Sequence, residues 1–143
     1  MILIDTSVLS EAMRPEPNPL VVDWIDRHDE ESVISVVSMF ELVSGVAIRP
    51  AGRRRDQLNN IVEQLLRRFT RRIYLFDEMA ARAAARFRAL ARAQGRGAHN
   101  LPEKLADLQI AGTAAAYGLK LATRNIRDFE PFDLDLIDPW KRA

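Results

Sequence analysis

Acidic side chains occur at four separate places in this sequence where acids are unusual, either directly after an apolar strand-like run or inside an apolar helix-like run. They are Asp5, Glu41, Asp107 and Asp128. Taken singly, each acid has a simpler interpretation, as a helix cap, as part of a narrow exposed helix face, or as part of a turn. Together, four carboxylates at one sheet edge would repel one another unless a cation lay between them. The set therefore favours a hard divalent cation, Mg²⁺ or in its place Mn²⁺.

Neutral oxygen donors accompany two of these acids. Thr6 and Ser7 follow Asp5, while Thr123 and Asn125 precede the last acid of the set. Hydroxyl and amide groups at such positions fix the orientation of carboxylate ligands through hydrogen bonds. We therefore expect these four residues to support the metal ligands.

Asp107 is the most unusual of the four acids because it stands inside a helix-like run rich in alanine. On a helix it shares one face with Ala111, Ala114 and Gly118, whose small side chains allow close approach to a sheet. Asp is a poor residue for a helix interior, and Pro102 places the predicted helix start several residues earlier. A capping role stays open, but a carboxylate pointing into a tight groove is the stronger prediction.

The pattern of apolar residues switches repeatedly between strand-like and helix-like, which predicts an α/β domain with a mostly parallel sheet and helices on both faces. Ligands of such sheets bind beyond the carboxyl ends of the strands. The predicted strands are 2–4, 32–37, 73–76, 119–122 and 134–137, and the predicted helices are 7–13, 19–28, 39–48, 52–70, 77–94 and 102–118. The predicted N-caps of helices are Asn18, Ser38 and Asp77, and Gly95 and Gly97 are predicted to end the helix that begins after Asp77. The apolar stripe of that helix is predicted at Met79, Ala83, Phe87 and Leu90.

Composition narrows the class of protein further. With 143 residues we expect one domain spanning 1–143, and without cysteine there is neither a disulfide nor a thiolate metal site. His28 and His99 lie in dissimilar contexts and are read as structural. No apolar run reaches the roughly 20 residues that cross a bilayer, and the first residues do not resemble a signal peptide, so a cytoplasmic protein is expected.

Arginine provides the other notable charge pattern, although the net charge is only +1. Arg53, Arg54 and Arg55 form one cluster, and a second cluster falls within 67–72. Guanidinium groups bind phosphate through two parallel hydrogen bonds, so the first cluster is a candidate phosphate contact. A solvated helix face remains an equally simple interpretation of the same residues.

The ordered motifs resemble those of PIN domains, and among them VapC-type toxins of the FitB-like branch. The resemblance is carried by the opening Ile-Leu-Ile-Asp-Thr-Ser, by Glu-Leu-Val-Ser-Gly at 41–45, by Asp-Leu-Gln-Ile-Ala from 107, by Tyr-Gly-Leu at 117–119, and by Ala-Thr-Arg-Asn-x-x-Asp-Phe ending at 129. The Val-x-Trp of 22–24 and the Asp-Pro-Trp of 138–140 fit that branch. One departure is Ser7, where the family usually has Asn. Because a hydroxyl still donates and accepts one hydrogen bond, weaker support of the site is expected rather than loss of activity.

This resemblance implies a Rossmann-like sheet, Mg²⁺-dependent cleavage of single-stranded RNA, a homodimer, and a cognate antitoxin that covers the acidic groove. It assigns Asp5 and Asp107 to the metal, with Glu41 and Asp128 completing the site directly or through water. It also implies an alternative role for such chains, as a catalytically weak partner subunit in a complex that binds operator DNA.

Other classes fit less well. A catalytically idle module that holds an antitoxin Arg or Lys in its acidic pocket stays open. An aspartyl phosphatase needs a second acid where Ser7 stands, and a receiver domain needs a Lys where Arg124 stands. The Gly-x-Gly at 95–97 follows a helix rather than a strand, which argues against dinucleotide binding.

Overall fold

A computed structural model describes residues 1–95 and 105–142 in full and residues 101–104 as backbone. In that part of the chain, five parallel strands alternate with helices. The strands are β1 (Ile2–Ile4), β2 (Ser32–Ser35), β3 (Ile73–Tyr74), β4 (Lys120–Ala122) and β5 (Leu136–Ile137). The helices are α1 (Thr6–Ala12), α2 (Pro19–Arg27), α3 (Val36–Ala47), α4 (Arg53–Arg68), α5 (Glu78–Ala93), α6 (Leu101–Ala116) and α7 (Ile126–Phe129). The predicted α/β class and parallel sheet are confirmed.

The strand order β3-β2-β1-β4-β5 puts the first strand of the chain in the middle of the sheet. Ile4 lies opposite Ile34 on one side and opposite Ala122 on the other, so the three central strands end at the same level. The chain leaves β1 toward β2 on one side, whereas β4 and β5 lie on the other side. Strand order therefore reverses beside β1, which is where ligands of open parallel sheets bind.

The short strands are apolar without alternation because both faces of the sheet are covered. Ile2 and Ile4 belong to one buried cluster, which includes Trp24 and Phe69. Leu3 points to the opposite face and belongs to a second cluster. The first cluster joins α1, α2 and α4 to the sheet, and the second joins α6 and α7 to it. Fully burying such aliphatic side chains stabilises the fold by roughly 1.5–3 kcal/mol each. The two clusters therefore fix the edge of the sheet at which the strands end.

Several predicted boundaries are corrected by the structure. The second strand ends at Ser35, and it is Ser35 rather than Ser38 that caps the next helix, because its Oγ accepts from the Val37 amide at 3.0 Å. The third strand stops at Tyr74, since at this sheet edge only two of its residues pair with β2. The caps predicted at Asn18 and Asp77 are confirmed by their hydrogen bonds to backbone amides.

The apolar stripe predicted for α5 is wrong at its two ends. Met79 and Leu90 are exposed, whereas Ala80, Ala83 and Ala84 are the buried residues of this helix. The reason is that α5 packs on α6 rather than on the sheet, and closely packed helices favour small residues at their contact. The helix stop predicted at Gly97 and the structural role predicted for His99 lie outside the described residues. No helix among the described residues is long and apolar enough to span a membrane.

Gly112 marks the closest contact between α5 and α6. A Cβ at this position would lie 2.5 Å from the carbonyl oxygen of Ala80 and 2.8 Å from the Ala84 Cβ. Backbone atoms of a helix cannot move aside as the end of a flexible side chain does. The glycine is therefore required by packing, and the contact that it permits fixes α6, which carries Asp107.

We expect Gly112→Ala to lower the free energy of unfolding by roughly 1–3 kcal/mol, because α5 and α6 must separate to admit a methyl group. Gly45→Ala is the matched control, since Gly45 lies within α3 and a Cβ added there would meet nothing within 4 Å. There the gain in helix propensity should stabilise the protein by up to about 1 kcal/mol. Urea denaturation of both variants measures the difference, and equal effects would contradict the packing role of Gly112.

Candidate active site

Asp5 is the first residue beyond β1 and is nearly inaccessible to solvent, with 2% of its surface exposed. Its backbone amide donates to the carbonyl oxygen of Ala122 at 2.9 Å, so the pairing between β1 and β4 continues one residue past the strand. Its own carbonyl accepts from the amides of Val8 and Leu9 at the start of α1. The backbone on both sides of this carboxylate is thereby fixed.

The Asp5 side chain is held by two hydroxyl groups that both donate to Oδ2. One belongs to Ser7, at 2.6 Å, and the other to Thr123, at 2.8 Å. No hydrogen bond to Oδ1 is found among the described residues. No buried side-chain polar atom in the described part of the chain lacks a partner, so Oδ1 must reach solvent. The arrangement turns one carboxylate oxygen inward and leaves the other for a ligand.

Ser7 and Thr123 each accept a hydrogen bond as well. The Ser7 Oγ accepts from the amide of Arg124 at 3.3 Å, and the Thr123 Oγ1 accepts from the amide of Asn125 at 3.1 Å. The hydroxyl of Ser7 thus donates once and accepts once, while the effect of this departure from the family pattern on activity stays a prediction. Both residues connect the start of α1 to the segment after β4.

Glu41 reaches the same edge of the sheet from α3. Its Oε1 accepts from the Thr6 hydroxyl at 2.7 Å, and this hydroxyl also lies 2.9 Å from the Oγ of Ser38. Because a hydroxyl carries one proton, Thr6 donates to Glu41 and accepts from Ser38. Ser38 is fully buried, so it fixes Thr6, and Thr6 in turn orients Glu41. Ser38 is a site residue that the sequence reasoning treated only as a helix cap.

Asp107 lies on α6, one helical turn before the buried Ala111. A helix that leads into a parallel strand runs opposite to that strand, so the first half of α6 lies toward the carboxyl edge of the sheet. Asp107 is half-buried there, and α6 packs against both α3 and β4. Ala111 and Ala114, on the predicted shared face, are buried, but Gly118 lies beyond the end of α6 and is exposed, so that part of the prediction is wrong. That Asp107 points into a groove stays a prediction.

Asp128 and Asn125 are the most exposed residues of the predicted set. Asn125 precedes α7, but its side chain makes no capping hydrogen bond. Asp128 lies in α7, and its amide donates to the Asn125 carbonyl at 3.0 Å. Both follow β4, and therefore lie at the same edge of the sheet as Asp5.

The structure joins Asp5 and Glu41 through adjacent hydroxyl residues, but it does not assemble all four acids into one ready-made cluster. Among the described residues, no group of three or more His, Asp or Glu side chains lies close enough together to hold a metal ion. The donors at Asp5 and Glu41 are nevertheless all oxygen atoms, and Asp5 Oδ1 keeps slight contact with solvent although the residue is only 2% exposed. Mg²⁺ is commonly bound by one or two carboxylates and several waters, so the donor chemistry fits this ion.

Glu11 is an acid that the sequence reasoning did not single out. It is 6% exposed, on the same side of α1 as the buried Val8. The Asn18 amide donates to its Oε1 at 2.9 Å, and Arg14 forms a 3.2 Å ion pair with its Oε2. The Asn18 hydrogen bond is the main cause that lowers the pKa of Glu11, and the charges of Arg14 and Arg124 lower it further against the effect of burial. The signal in the sequence is its three-residue spacing from Val8, which puts it on the apolar face of α1.

Arg53, Arg54 and Arg55, the predicted phosphate contacts, form the first turn of α4. Since α3 and α4 pack together, this turn lies at the tip of their hairpin, about 10 Å beyond Glu41 along α3 by the helical rise. Arg55 donates to the carbonyl oxygen of Arg49 at 3.3 Å, whereas no hydrogen bond or ion pair of the Arg53 or Arg54 side chain is found among the described residues. Because cations at a helix N-terminus are unfavourable by a few tenths of a kcal/mol to ~1 kcal/mol each, helix stability does not explain Arg53 and Arg54.

Comparisons with known proteins bear on the family and the fold. A family model described as the PIN domain matches residues 2–133. The chain is 38% identical over 145 residues to a VapC ribonuclease, Y4jK, of Sinorhizobium fredii, with 100% of both proteins covered. It is 38% identical over 142 residues to Toxin FitB of Neisseria gonorrhoeae, covering 98% of this chain and 99% of that protein. The solved structure of FitAB bound to an IR36 DNA fragment superposes with a TM-score of 0.87 at 35% identity, covering 100% of this chain and 98% of that one.

We expect Glu11→Gln to destabilise the protein at pH 7 and to have a smaller effect in acid. The folded-state pKa of Glu11 is lowered, so its contribution is fully present above the unfolded value, about 4.3, and is lost as the pH falls through the folded value. The glutamine amide oxygen still accepts from Asn18 but carries no charge for Arg14. Urea midpoints at neutral and acidic pH test this, with the exposed Glu63→Gln as control. If the difference in urea midpoint between Glu11→Gln and the unmodified protein grew toward low pH, the lowered pKa of Glu11 would be contradicted.

Proposed function

The chain belongs to the PIN-domain family, and we propose that it is the toxin of a toxin–antitoxin pair, a metal-dependent endoribonuclease that cleaves single-stranded RNA. The relative named VapC ribonuclease and the relative named Toxin FitB are both matched over nearly their full lengths, which supports the activity and the biological role. The same coverage supports our treating residues 1–143 as one domain. That the protein acts in the cytoplasm stays a prediction.

The observation that carries this proposal is the arrangement of Asp5. Two hydroxyls from different parts of the chain fix one oxygen of a buried carboxylate and leave the other open toward solvent. Glu41, also oriented by a hydroxyl, is linked to the same corner through the adjacent Thr6. Acids that served only to stabilise the fold would be expected to bond through both oxygens or to pair with a cation.

We assign Asp5 and Asp107 as the residues that would hold a Mg²⁺ or Mn²⁺ ion, with Glu41 and Asp128 completing the site directly or through water. An ion bound there supplies the Lewis acidity that phosphodiester hydrolysis requires. Glu41 is our candidate for the group that orients the attacking water and takes its proton, because Thr6 holds one of its oxygens and the residue is half-exposed.

Supporting roles follow from the hydrogen bonds. Thr6 orients Glu41, while Ser7 and Thr123 orient Asp5. Asn125 has an exposed side chain without a capping bond, which leaves its amide for a water or a phosphate. These residues exert their effect by fixing ligand geometry, so their loss should cost less than the loss of a ligand.

We propose that Arg53, Arg54 and Arg55 contact the RNA backbone at the outer end of the groove. Three guanidinium groups on the positive end of a helix form an anion-binding surface, at a cost to helix stability that the binding role accounts for.

For partners we propose a second copy of the chain and a cognate antitoxin that covers the acidic groove. The complex of FitAB with a DNA fragment supports the further proposal that toxin and antitoxin together bind operator DNA. The same complex keeps one alternative open, in which the chain acts mainly as a catalytically weak subunit of a repressor. Calorimetry decides between them, since failure of the free protein to take up Mg²⁺ or Mn²⁺ would favour the alternative.

Asp5→Asn should reduce cleavage of single-stranded RNA at least about 100-fold, since the amide removes the charge of a metal ligand while preserving its shape. Asp107→Asn should do the same, and EDTA should abolish cleavage by the unmodified protein. Asp135→Asn is the matched control, because Asp135 is paired with Lys120 at the start of β4, on the opposite edge of the sheet. Undiminished cleavage by either of the first two variants would remove this mechanism.

Replacing Arg53, Arg54 and Arg55 together by alanine should weaken RNA binding and flatten its dependence on salt. Each phosphate contact that is lost should reduce the slope of log K against log salt by about 0.7 for a single strand. Binding titrations from low to moderate salt measure the slope. An unchanged slope would mean that these side chains are merely solvated, and the variant should melt at or above the temperature of the unmodified protein.

A further inference from the structure

Glu11, Arg14 and Arg124 form a charged group beside the candidate active site. Glu11 is buried and supplies one negative charge, whereas the two arginines are exposed and supply two positive charges. Arg14 forms the ion pair with Glu11 at 3.2 Å, and Arg124 lies near enough to act on the same carboxyl. The group therefore carries a net positive charge next to an acidic corner.

Arg124 is attached directly to the residues that hold Asp5. Its amide donates to the Ser7 Oγ at 3.3 Å, and that hydroxyl donates to the Asp5 Oδ2 at 2.6 Å. Only two hydrogen bonds thus separate the backbone of Arg124 from the candidate ligand. The residue before it, Thr123, is fully buried and bonded to the same carboxylate oxygen. The backbone of Arg124 is thus held close to Asp5.

The guanidinium of Arg124 is held on an aromatic ring. It lies over Trp140, 5.4 Å from the ring centroid, and the ring packs against the buried cluster that contains Trp24 and Phe69. The Trp140 backbone is fixed in turn by a 3.0 Å hydrogen bond from its amide to Asp138. Among the described residues no carboxylate forms an ion pair with Arg124. The side chain is therefore positioned by a cation–π contact, while its N–H groups stay available to a ligand.

We propose that Arg124 and Arg14 bind the phosphodiester backbone of single-stranded RNA next to the cleaved bond, with Trp140 as the residue that positions Arg124. The proposal rests on the proposed nuclease function and adds to it an inner phosphate contact. The outer contact at the tip of the α3–α4 hairpin is separate from it.

A guanidinium suits this position better than an ammonium group would. It makes a cation–π contact with the indole, and its N–H groups can form two parallel bonds to phosphate oxygens. Lysine keeps the charge but loses the paired hydrogen-bond geometry. Glu11 has a matching role, since it neutralises Arg14 in part and prevents two adjacent guanidinium groups from repelling each other at full strength.

The test measures binding of a fluorescently labelled single-stranded RNA by anisotropy, in EDTA and over a range of salt, beside cleavage with Mg²⁺. Arg124→Ala should weaken RNA binding roughly tenfold and reduce the slope of log K against log salt by about 0.7. Arg124→Lys should keep most of this slope and recover part of the affinity for RNA. Arg86→Ala, on the exposed side of α5, is the control and should bind as the unmodified protein does. In cleavage, Arg124→Ala should raise KM more than it lowers kcat, because the contact is present before the reaction.

The outcomes separate this inference from the function on which it rests. If the unmodified protein cleaves RNA and Arg124→Ala matches Arg86→Ala in affinity, slope and KM, the inference is wrong and the nuclease function stands. If RNA binding depends on Arg124 while no variant cleaves, the inference stands and the nuclease function falls. If the unmodified protein binds no RNA, or if Arg124→Ala weakens only an antitoxin complex, the inference is overturned. Thermal melting of each variant excludes loss of folding as the cause.

Discussion

The parallel register between β1 and β4 is the constraint on which the candidate site depends. Because Ile4 lies opposite Ala122, the next residues, Asp5 and Thr123, leave the sheet side by side although 118 positions separate them in the chain. The hydroxyl of Thr123 then bonds the Asp5 carboxylate in a buried environment, where an unpaired acid would be costly. A slip of one residue in this register would turn these side chains toward opposite faces of the sheet.

Asp5 and Glu11 are both buried, but their carboxylates have opposite kinds of partner. The side chain of Asp5 receives its hydrogen bonds from neutral hydroxyls, so its charge is not cancelled by a protein cation. Glu11 receives a backbone amide and the guanidinium of Arg14, which together stabilise its charge within the protein. The contacts of Glu11 order the segment between α1 and α2. The contrast supports the proposed assignment of Asp5 as a ligand and of Glu11 as a structural residue.

Close packing of helices away from the sheet contributes to the site indirectly. Gly112 lets α6 approach α5 to a distance that no side chain would allow, and the buried Ala111 and Ala114 let α6 lie against the sheet. Both contacts are needed to bring the first half of α6, and Asp107 with it, toward the edge of the sheet at which the strands end. The small residues of α6 therefore contribute to the position of Asp107 as well as to the stability of the fold.

The sequence by itself determined the class of fold and the acids of interest, because apolar periodicity and the residues after strands are local properties of the chain. The strand at 2–4, the caps at Asn18 and Asp77, and the pairing role of Ser7 could be read in this way. The exact start of α3 could not, since Ser35 and Ser38 are equally good caps and only the pairing of β2 with β1 decides between them. The place of Glu11 on the apolar face of α1 is signalled by its spacing from Val8, but its bond to the Asn18 amide is not. Arg124 was beyond reach, because its contacts with Ser7 and Trp140 depend on the tertiary structure. Which carboxylate oxygen stays open, and which arginine lies beside it, depends on contacts between residues far apart in sequence, and only the tertiary structure supplies those.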